Sequence, residues 1–500
     1  MALEKKVALV KTGIKEFDDI LGGGLTANRV YLLHGSPGSG KTTLAMQFLM
    51  EGVKNNEKVI YITLSETKEE LKATAEVHGW SLKGIDIFEL VTSEEELHPE
   101  NQYTMYQPSE VELSNTTKAI IKQIELLKPA RVVIDSLAEI KLLAQSMLRY
   151  RRQILALKQF FVGRQSTTLF LDDKTTVSTD DKQLESIAHG VISLEQLAPE
   201  YGAERRRLRV TKLRGQKYRG GYHDFNINTG GLYIFPRLIA GEHKKIHPAL
   251  QLKSGIQELD ELLGGGIEYG VSMLLLGPAG SGKSSLATQY TVAAATKGER
   301  AAIFSFDERT ETILQRTKSI GLPVEKYVQD QLITIHPIDP AEMSPGEFAH
   351  TIRNAAEGKD GYAPARVIVI DSLNGYLNAM PEERFLISQL HEILTYLGHL
   401  NILTILVVAQ HGLLGNAMKA PIDTSYLADT VILFRYFEAR GAVKQTISVV
   451  KKRSGHHERT IREFKIEKGG LRVGEVLHQF QGILTGTPVF IGSDDTLLKN

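Results

Sequence analysis

Five hundred residues allow several domains, and 42% hydrophobic with 24% charged residues is ordinary globular composition, which excludes disorder as the main state. The 59 basic and 59 acidic residues cancel, so nucleic acid is not an expected partner, and no apolar run approaches the length of a membrane span. Without a single cysteine, the chain has no disulfide, no thiolate metal site and no cysteine nucleophile. The residues from Met1 to Lys6 lack a secretory apolar region, and a cytoplasmic location is expected.

The first motif runs from Thr12 to Gly24 and closes on Leu21-Gly22-Gly23-Gly24; it returns from Ser254 to Gly266, closing on Leu263-Gly264-Gly265-Gly266. The offset of 242 residues persists from Lys41 to Lys283 and from Glu66 to Glu308, drifts to 236 between Asp135 and Asp371, and stands at 239 between Arg214 and Arg453. Small loop insertions produce such drift, so the chain is one domain written twice, 1–243 and 244–500, with the boundary near Ala240 to Pro248. Val30 to His34 and Ser272 to Leu276 read as buried strands leading into glycine loops, and helices are expected after them. Ile120, Ile124 and Leu127 keep helical spacing before the β-branched run Arg131 to Ile134, which ends in Asp135; Val367 to Ile370 ends likewise in Asp371. Alternating helix and buried strand predicts an α/β fold with a mostly parallel central sheet in each copy.

The loops Gly35-Ser36-Pro37-Gly38-Ser39-Gly40-Lys41-Thr42-Thr43 and Gly277-Pro278-Ala279-Gly280-Ser281-Gly282-Lys283-Ser284-Ser285 carry the phosphate-loop spacing between a strand and a helix. Glycines let backbone N–H groups turn in around phosphate oxygens, Lys41 or Lys283 reaches the terminal phosphates, and Thr42 or Ser284 offers a hydroxyl to magnesium. Asp135 and Asp371 suit the strand-end acid that completes the magnesium site, although an aspartate there also commonly caps a turn or helix. Val59 to Leu64 leads into Ser65-Glu66, and Ala301 to Phe306 into Asp307-Glu308. Glu66, Asp307 and Glu308 are therefore candidates to polarise water or accept a proton beside the terminal phosphate. Helix capping by Ser65 or Asp307, with Thr67 and Glu69 in the first turn, is the competing role. Near the end of each copy, Lys212-Leu213-Arg214 follows the strand Arg205 to Val210, and Lys451-Lys452-Arg453 follows Ile447 to Val450. Such turns either lie in solvent or reach the phosphates of a neighbouring subunit.

Taken in order, the paired glycine motifs, both phosphate loops, the strand-end aspartates, the Lys212 to Gly215 turn and the closing run from Asp429 to Phe464 resemble the KaiC family of double-domain RecA-like ATPases over nearly the whole chain. The resemblance implies a two-tiered homohexamer holding ATP and magnesium at subunit boundaries, slow hydrolysis in the first tier and serine or threonine autophosphorylation in the second. It assigns Glu66 to one of two adjacent first-tier glutamates, with Ser65 replacing the other, and puts Asp307 where the family has the glutamate that activates the acceptor hydroxyl. Lys212, Arg214, Lys451 and Arg453 match residues that contact nucleotide on the adjoining subunit. The family's consecutive phosphorylated serine and threonine fall on Ser425 and Tyr426, which makes Ser425 the first acceptor and Thr424 the second; an ordinary turn after Pro421 is the competing role. The resemblance admits a KaiB-like partner, whereas the chain stops soon after Phe490 and control by KaiA is not expected. A DNA-dependent motor on the same core and a nucleotide-stabilised scaffold remain the alternatives.

Overall fold

The computed structural model describes residues 8–90, 108–173, 181–199, 202–244, 247–248, 250–378, 386–410, 426–439, 441–484 and 489–491. Each copy opens by folding its glycine motif onto itself. Thr12 donates its backbone N–H and its hydroxyl to Asp18 Oδ1, both at 2.9 Å, and the Ser254 N–H donates to Asp260 Oδ1 at 2.7 Å. β1 (Leu9–Val10) then pairs antiparallel with β2 (Leu25–Thr26). The approach is so close that a Cβ on Gly24, at φ +127°, would lie 2.5 Å from Val10 O, which only glycine tolerates.

In the first unit, Val30–Gly35 (β3), Val59–Thr63 (β4), Ile85–Glu89 (β5), Arg131–Asp135 (β6), Thr167–Asp173 (β7), Gly190–Leu197 (β8), Arg205–Leu213 (β9), Tyr222–Asn228 (β10) and Gly231–Phe235 (β11) form one sheet in the order β11-β10-β9-β8-β3-β7-β6-β4-β5. The strands from β8 to β5 run parallel, and β9, β10 and β11 extend the sheet antiparallel. Alternate residues of β3 feed two cores: Tyr31 and Leu33 meet Leu44, Phe48 and Leu49 of the helix Lys41–Lys54, while Val30 and Leu32 meet Tyr150, Ile154 and Leu157 of the helix Met147–Gly163. Burial on both faces explains why β3 has no exposed residue and reads as an uninterrupted apolar run.

The second unit repeats this plan. After the pair β12 (Gln251–Leu252) and β13 (Ile267–Glu268), the strands Ser272–Gly277 (β14), Arg300–Ser305 (β15), Ile333–Pro337 (β16), Ala365–Asp371 (β17), Leu403–Ala409 (β18), Thr430–Ala439 (β19), Ala442–Lys452 (β20), Arg462–Glu467 (β21) and Gly470–Val476 (β22) lie in the order β16-β15-β17-β18-β14-β19-β20-β21-β22. Each strand occupies the place of its counterpart in the first sheet, parallel up to β19 and antiparallel beyond. The glycine turn is tied down differently in the two units. In the first, Gln216 Nε2 donates to Leu21 O and to Gly24 O (2.8 Å), and Thr26 Oγ1 donates to Gln216 Oε1 at 3.0 Å. In the second, the buried Lys452 ammonium donates to Leu263 O (2.6 Å) and Gly266 O (3.3 Å) and pairs with Glu268 Oε1 at 3.1 Å.

The units divide at Met1–Arg237 and Leu238–Asn500, a few residues ahead of the segment that composition marks, because Leu238 and Ala240 are buried among Tyr396, Leu397 and other apolar residues of the second core. No helix among the described residues is long and apolar enough to cross a membrane. His223 secures the end of the first unit: its fully buried ring takes the Arg237 N–H on Nδ1 at 2.9 Å, and Nε2 lies 3.0 Å from Arg219 O. A carbonyl at Nε2 fixes the proton there, so protonating Nδ1 would set two donors face to face. Burial and the nearby Arg219 and Arg237 charges push this imidazole down to about 4. Because the unfolded chain then binds the extra proton more readily, stability is complete above about pH 6.5 and falls as the pH drops toward 4, by about 3 kcal/mol in all. Urea titrations between pH 7 and 4 are expected to show this loss in the parent protein and a smaller one in His223→Gln.

Candidate functional site

Both phosphate loops emerge from the carboxyl end of the central strand and end as the first turn of a helix whose N-cap, Gly40 or Gly282, is left-handed, at φ +92° and +93°. Those glycines are required twice over, since a Cβ would lie 2.7 Å from Ile227 Cδ1 in the first unit and 2.6 Å from Phe464 Cε1 in the second. Gly38 and Gly280 are also left-handed, at φ +77° and +75°, which turns backbone N–H groups inward as a phosphate cradle needs. Ser39 and Ser281 are buried beneath the loops, and the Ser281 hydroxyl donates to Pro278 O at 2.8 Å. Ser36, Pro37 and Ala279 stand on the outer rim, partly or fully exposed, and Thr43 and Ser285, which follow Thr42 and Ser284, are buried.

The lysines differ. Lys41 Nζ donates to Gly35 O (3.0 Å) and Ser36 O (2.9 Å) and pairs with Asp173 Oδ1 at 2.7 Å. Lys283 Nζ donates to Pro278 O at 2.6 Å, and burial pulls its ammonium down to about 8 despite the opposing charge of Asp371.

Parallel register brings the acids to the same edge, with Thr63 beside Asp135 and Ser305 beside Asp371. Thr42 Oγ1 donates to Asp135 Oδ2 at 3.2 Å, the Tyr61 hydroxyl donates to the same oxygen, and Ser284 bonds Asp371. Hydroxyl and carboxylate oxygens side by side are the hard donor set that fits magnesium. Burial raises Asp135 and lifts Asp371 to about 6. The Asp135–Ser136 and Asp371–Ser372 peptides are both cis.

The next acids are held by a matching clasp. Thr63 Oγ1 donates to Glu66 O (2.7 Å) and accepts the Glu66 N–H (3.0 Å), and Ser305 Oγ does the same for Glu308 at 2.8 and 3.1 Å. Burial and the charges of Asp135, Glu70 and Asp173 raise the Glu66 carboxyl, which favours a proton-accepting role. In the second unit, Glu308 is paired with Arg316 at 2.9 Å and Asp307 accepts the Ser372 hydroxyl. The capping role proposed for Ser65 and Asp307 belongs elsewhere: Thr67 caps its helix through a reciprocal box with Glu70, not Glu69, and the second helix starts at Thr310 with Arg309 at the N-cap and no side-chain cap.

The basic turns face away from their own loops. Leu213 pairs with Gly190, which pairs with Tyr31, so Lys212 and Arg214 sit beside the start of β3 while the phosphate loop leaves its end at Gly35. That separation is roughly 13 Å of strand. Lys451 and Lys452 likewise pair with Val431 and Thr430, which flank the start of β14. Lys212 donates to Glu185 O, Arg214 to Ser186 O (3.0 Å), and Lys158 to Ile187 O (2.7 Å), so three cations gather on the last carbonyls of the helix Asp181–Ile187, the end where a helix favours positive charge. Lys451 donates to Ala428 O (2.7 Å), and Arg453 bonds Asp429 (3.2 Å) and Tyr426 O (3.0 Å). Two members of the expected contact set turn inward instead: Leu213 is buried in the first core, and the Lys452 side chain, 1% exposed, serves the glycine turn. Ser425 and Thr424 lie outside the described residues.

Sequence reasoning missed Tyr61, Asp173, Arg316, Ser372 and Lys158. Tyr61 resembles any strand core residue, but aligning the copies would have flagged Asp173, because Ala409 takes its place beside the central strand of the second unit. Replacing Lys41 with alanine is expected to remove one bound nucleotide per chain, and Lys283→Ala the other, as read by the stoichiometry of equilibrium dialysis with a non-hydrolysable ATP analogue.

A family model described as "ATPase: KaiC" matches residues 10–239 and again 252–478. The chain is 29% identical to the circadian clock oscillator protein KaiC of Parathermosynechococcus lividus, over 97% of this chain and 89% of that protein. It is 28% identical to KaiC of Synechococcus elongatus, over 98% and 93% of the two chains. With both phosphate-loop units matched across their sheets, the chain belongs to the KaiC family of ATPases.

Proposed function

We propose that this protein is a homohexameric regulatory ATPase in which nucleotide lies between subunits, the first unit hydrolyses ATP slowly, and the second phosphorylates a hydroxyl of its own chain. The observation that carries this reading is the placement of both basic turns at the end of the sheet remote from their own phosphate loops. Arg214 and Arg453 then act on a nucleotide held by another copy, where a guanidinium neutralises charge that develops on the terminal phosphate. Kinship with the clock oscillators supports self-association, and a KaiB-like partner on the first unit is included in the proposal.

Thr42 with Asp135, and Ser284 with Asp371, would hold magnesium, which when bound would supply charge neutralisation on the phosphates. Lys41 or Lys283 positions a terminal phosphate oxygen, and the inward N–H groups of each loop orient the chain of phosphates. In the first unit, Glu66 accepts a proton from the attacking water, an assignment favoured by its raised carboxyl. In the second, the Ser425 oxygen, or that of Thr424, forms a bond to the γ-phosphorus as the bond to the β–γ bridging oxygen breaks. ADP leaves and the hydroxyl proton passes to Asp307, while Arg316 holds Glu308 in place.

Incubation with radiolabelled ATP and magnesium followed by peptide mapping is expected to place label on Ser425 or Thr424, and to lose it in Lys283→Ala more than in Lys41→Ala. Label absent from that segment removes the kinase assignment. Rings mixed from Arg453→Ala and Lys283→Ala subunits should regain part of the labelling lost by each alone; verified mixed rings without recovery would speak against action between subunits.

A further inference from the structure

The two phosphate-loop lysines occupy equivalent positions but different electrostatic surroundings. All three N–H donors of Lys41 are engaged, by Gly35 O, Ser36 O and the Asp173 carboxylate. Asp173 ends β7, directly beside Gly35. At the same register in the second unit Ala409 stands beside Gly277, and among the described residues Lys283 makes no carboxylate pair. We propose that Asp173 is a positioning residue that competes with the terminal phosphates of ATP for Lys41, holding the first unit's affinity for triphosphate below that of the second.

This inference rests on the phosphate-loop reading of both units and adds a ranking between them. An ammonium turning toward a phosphate abandons a 2.7 Å ion pair. It also leaves Asp173 unscreened beside two other acids, since the Asp173 charge already acts on both Glu66 and Asp135. In a partly buried site like charges repel strongly. The penalty grows with the charge of the ligand, so it falls hardest on ATP, less on ADP and least on AMP. A purely structural role for Asp173 would shift all three alike.

The test uses full-length protein with one site silenced. In a Lys283→Ala background, Asp173→Asn and Asp173→Ala should each bind a non-hydrolysable ATP analogue roughly ten-fold more tightly, a change of about 1.4 kcal/mol. AMP affinity should move by less than a factor of two or so, and Asp173→Glu, which keeps the charge, should stay near the parent. The reciprocal change, Ala409→Asp in a Lys41→Ala background, should weaken the second site by a similar factor. Melting curves without nucleotide verify that each variant is folded. Folded Asp173→Asn protein with unchanged or weaker triphosphate affinity overturns the inference, as does an Ala409→Asp site that binds as before. Should the first unit bind no nucleotide with either residue at 173, the phosphate-loop reading itself fails and the ranking falls with it.

Discussion

Parallel strand register is the constraint on which both sites depend. Because β3, β7, β6 and β4 run side by side in one direction, Gly35, Asp173, Asp135 and Thr63 finish at one edge of the sheet, and the clasp from Thr63 sets Glu66 beyond them. Open α/β sheets place ligands outside the carboxyl ends of their strands for this reason. Lys41, Thr42, Glu66, Asp135 and Asp173, contributed by four strand ends that are far apart in sequence, become neighbours there. The antiparallel strands have a separate use: β10 and β21 press Ile227 and Phe464 beneath the N-cap glycines, and β9 and β20 carry basic residues to the opposite edge.

The halves share this frame and differ in the chemistry mounted on it. Tyr61 gives Asp135 a hydroxyl donor, whereas the corresponding strand of the second unit has Ile303, and burial lifts Asp371, bonded by Ser284, to about 6. The first unit's strand end carries Ser65-Glu66 and a lysine bound to Asp173; the second carries Asp307-Glu308, Arg316 and a lysine that makes no ion pair among the described residues. Two phosphate loops of one ancestry are thereby surrounded by different acids and different cations.

Much of this frame is legible in the order of the amino acids. Repetition at a fixed offset discloses the duplication, glycine spacing discloses the loops, and the runs ending in Asp135 and Asp371 disclose two strands, because a strand buried on both faces must be apolar throughout. Side-chain partners are not legible in the same way. Whether Leu213 and Lys452 point outward depends on a bulge in the β8–β9 and β19–β20 pairing, and a one-residue slip reverses the face of every side chain after it. The capping residue escapes sequence reasoning as well: several polar residues after the strand suit an N-cap, and it is Thr67, boxed with Glu70, that caps the helix.

The anchoring of the glycine turn carries an evolutionary consequence. The same two carbonyls are satisfied by a neutral amide backed by a threonine in one half and by an ammonium backed by a glutamate in the other. Neither member of a pair can be traded alone, since a buried ammonium facing Thr26 would lose its counterion and Glu268 facing an amide would keep an uncompensated charge. Gene conversion between the two coding halves is therefore penalised wherever its endpoint falls between the turn and the distant residue that secures it, which helps keep tandem duplicates distinct.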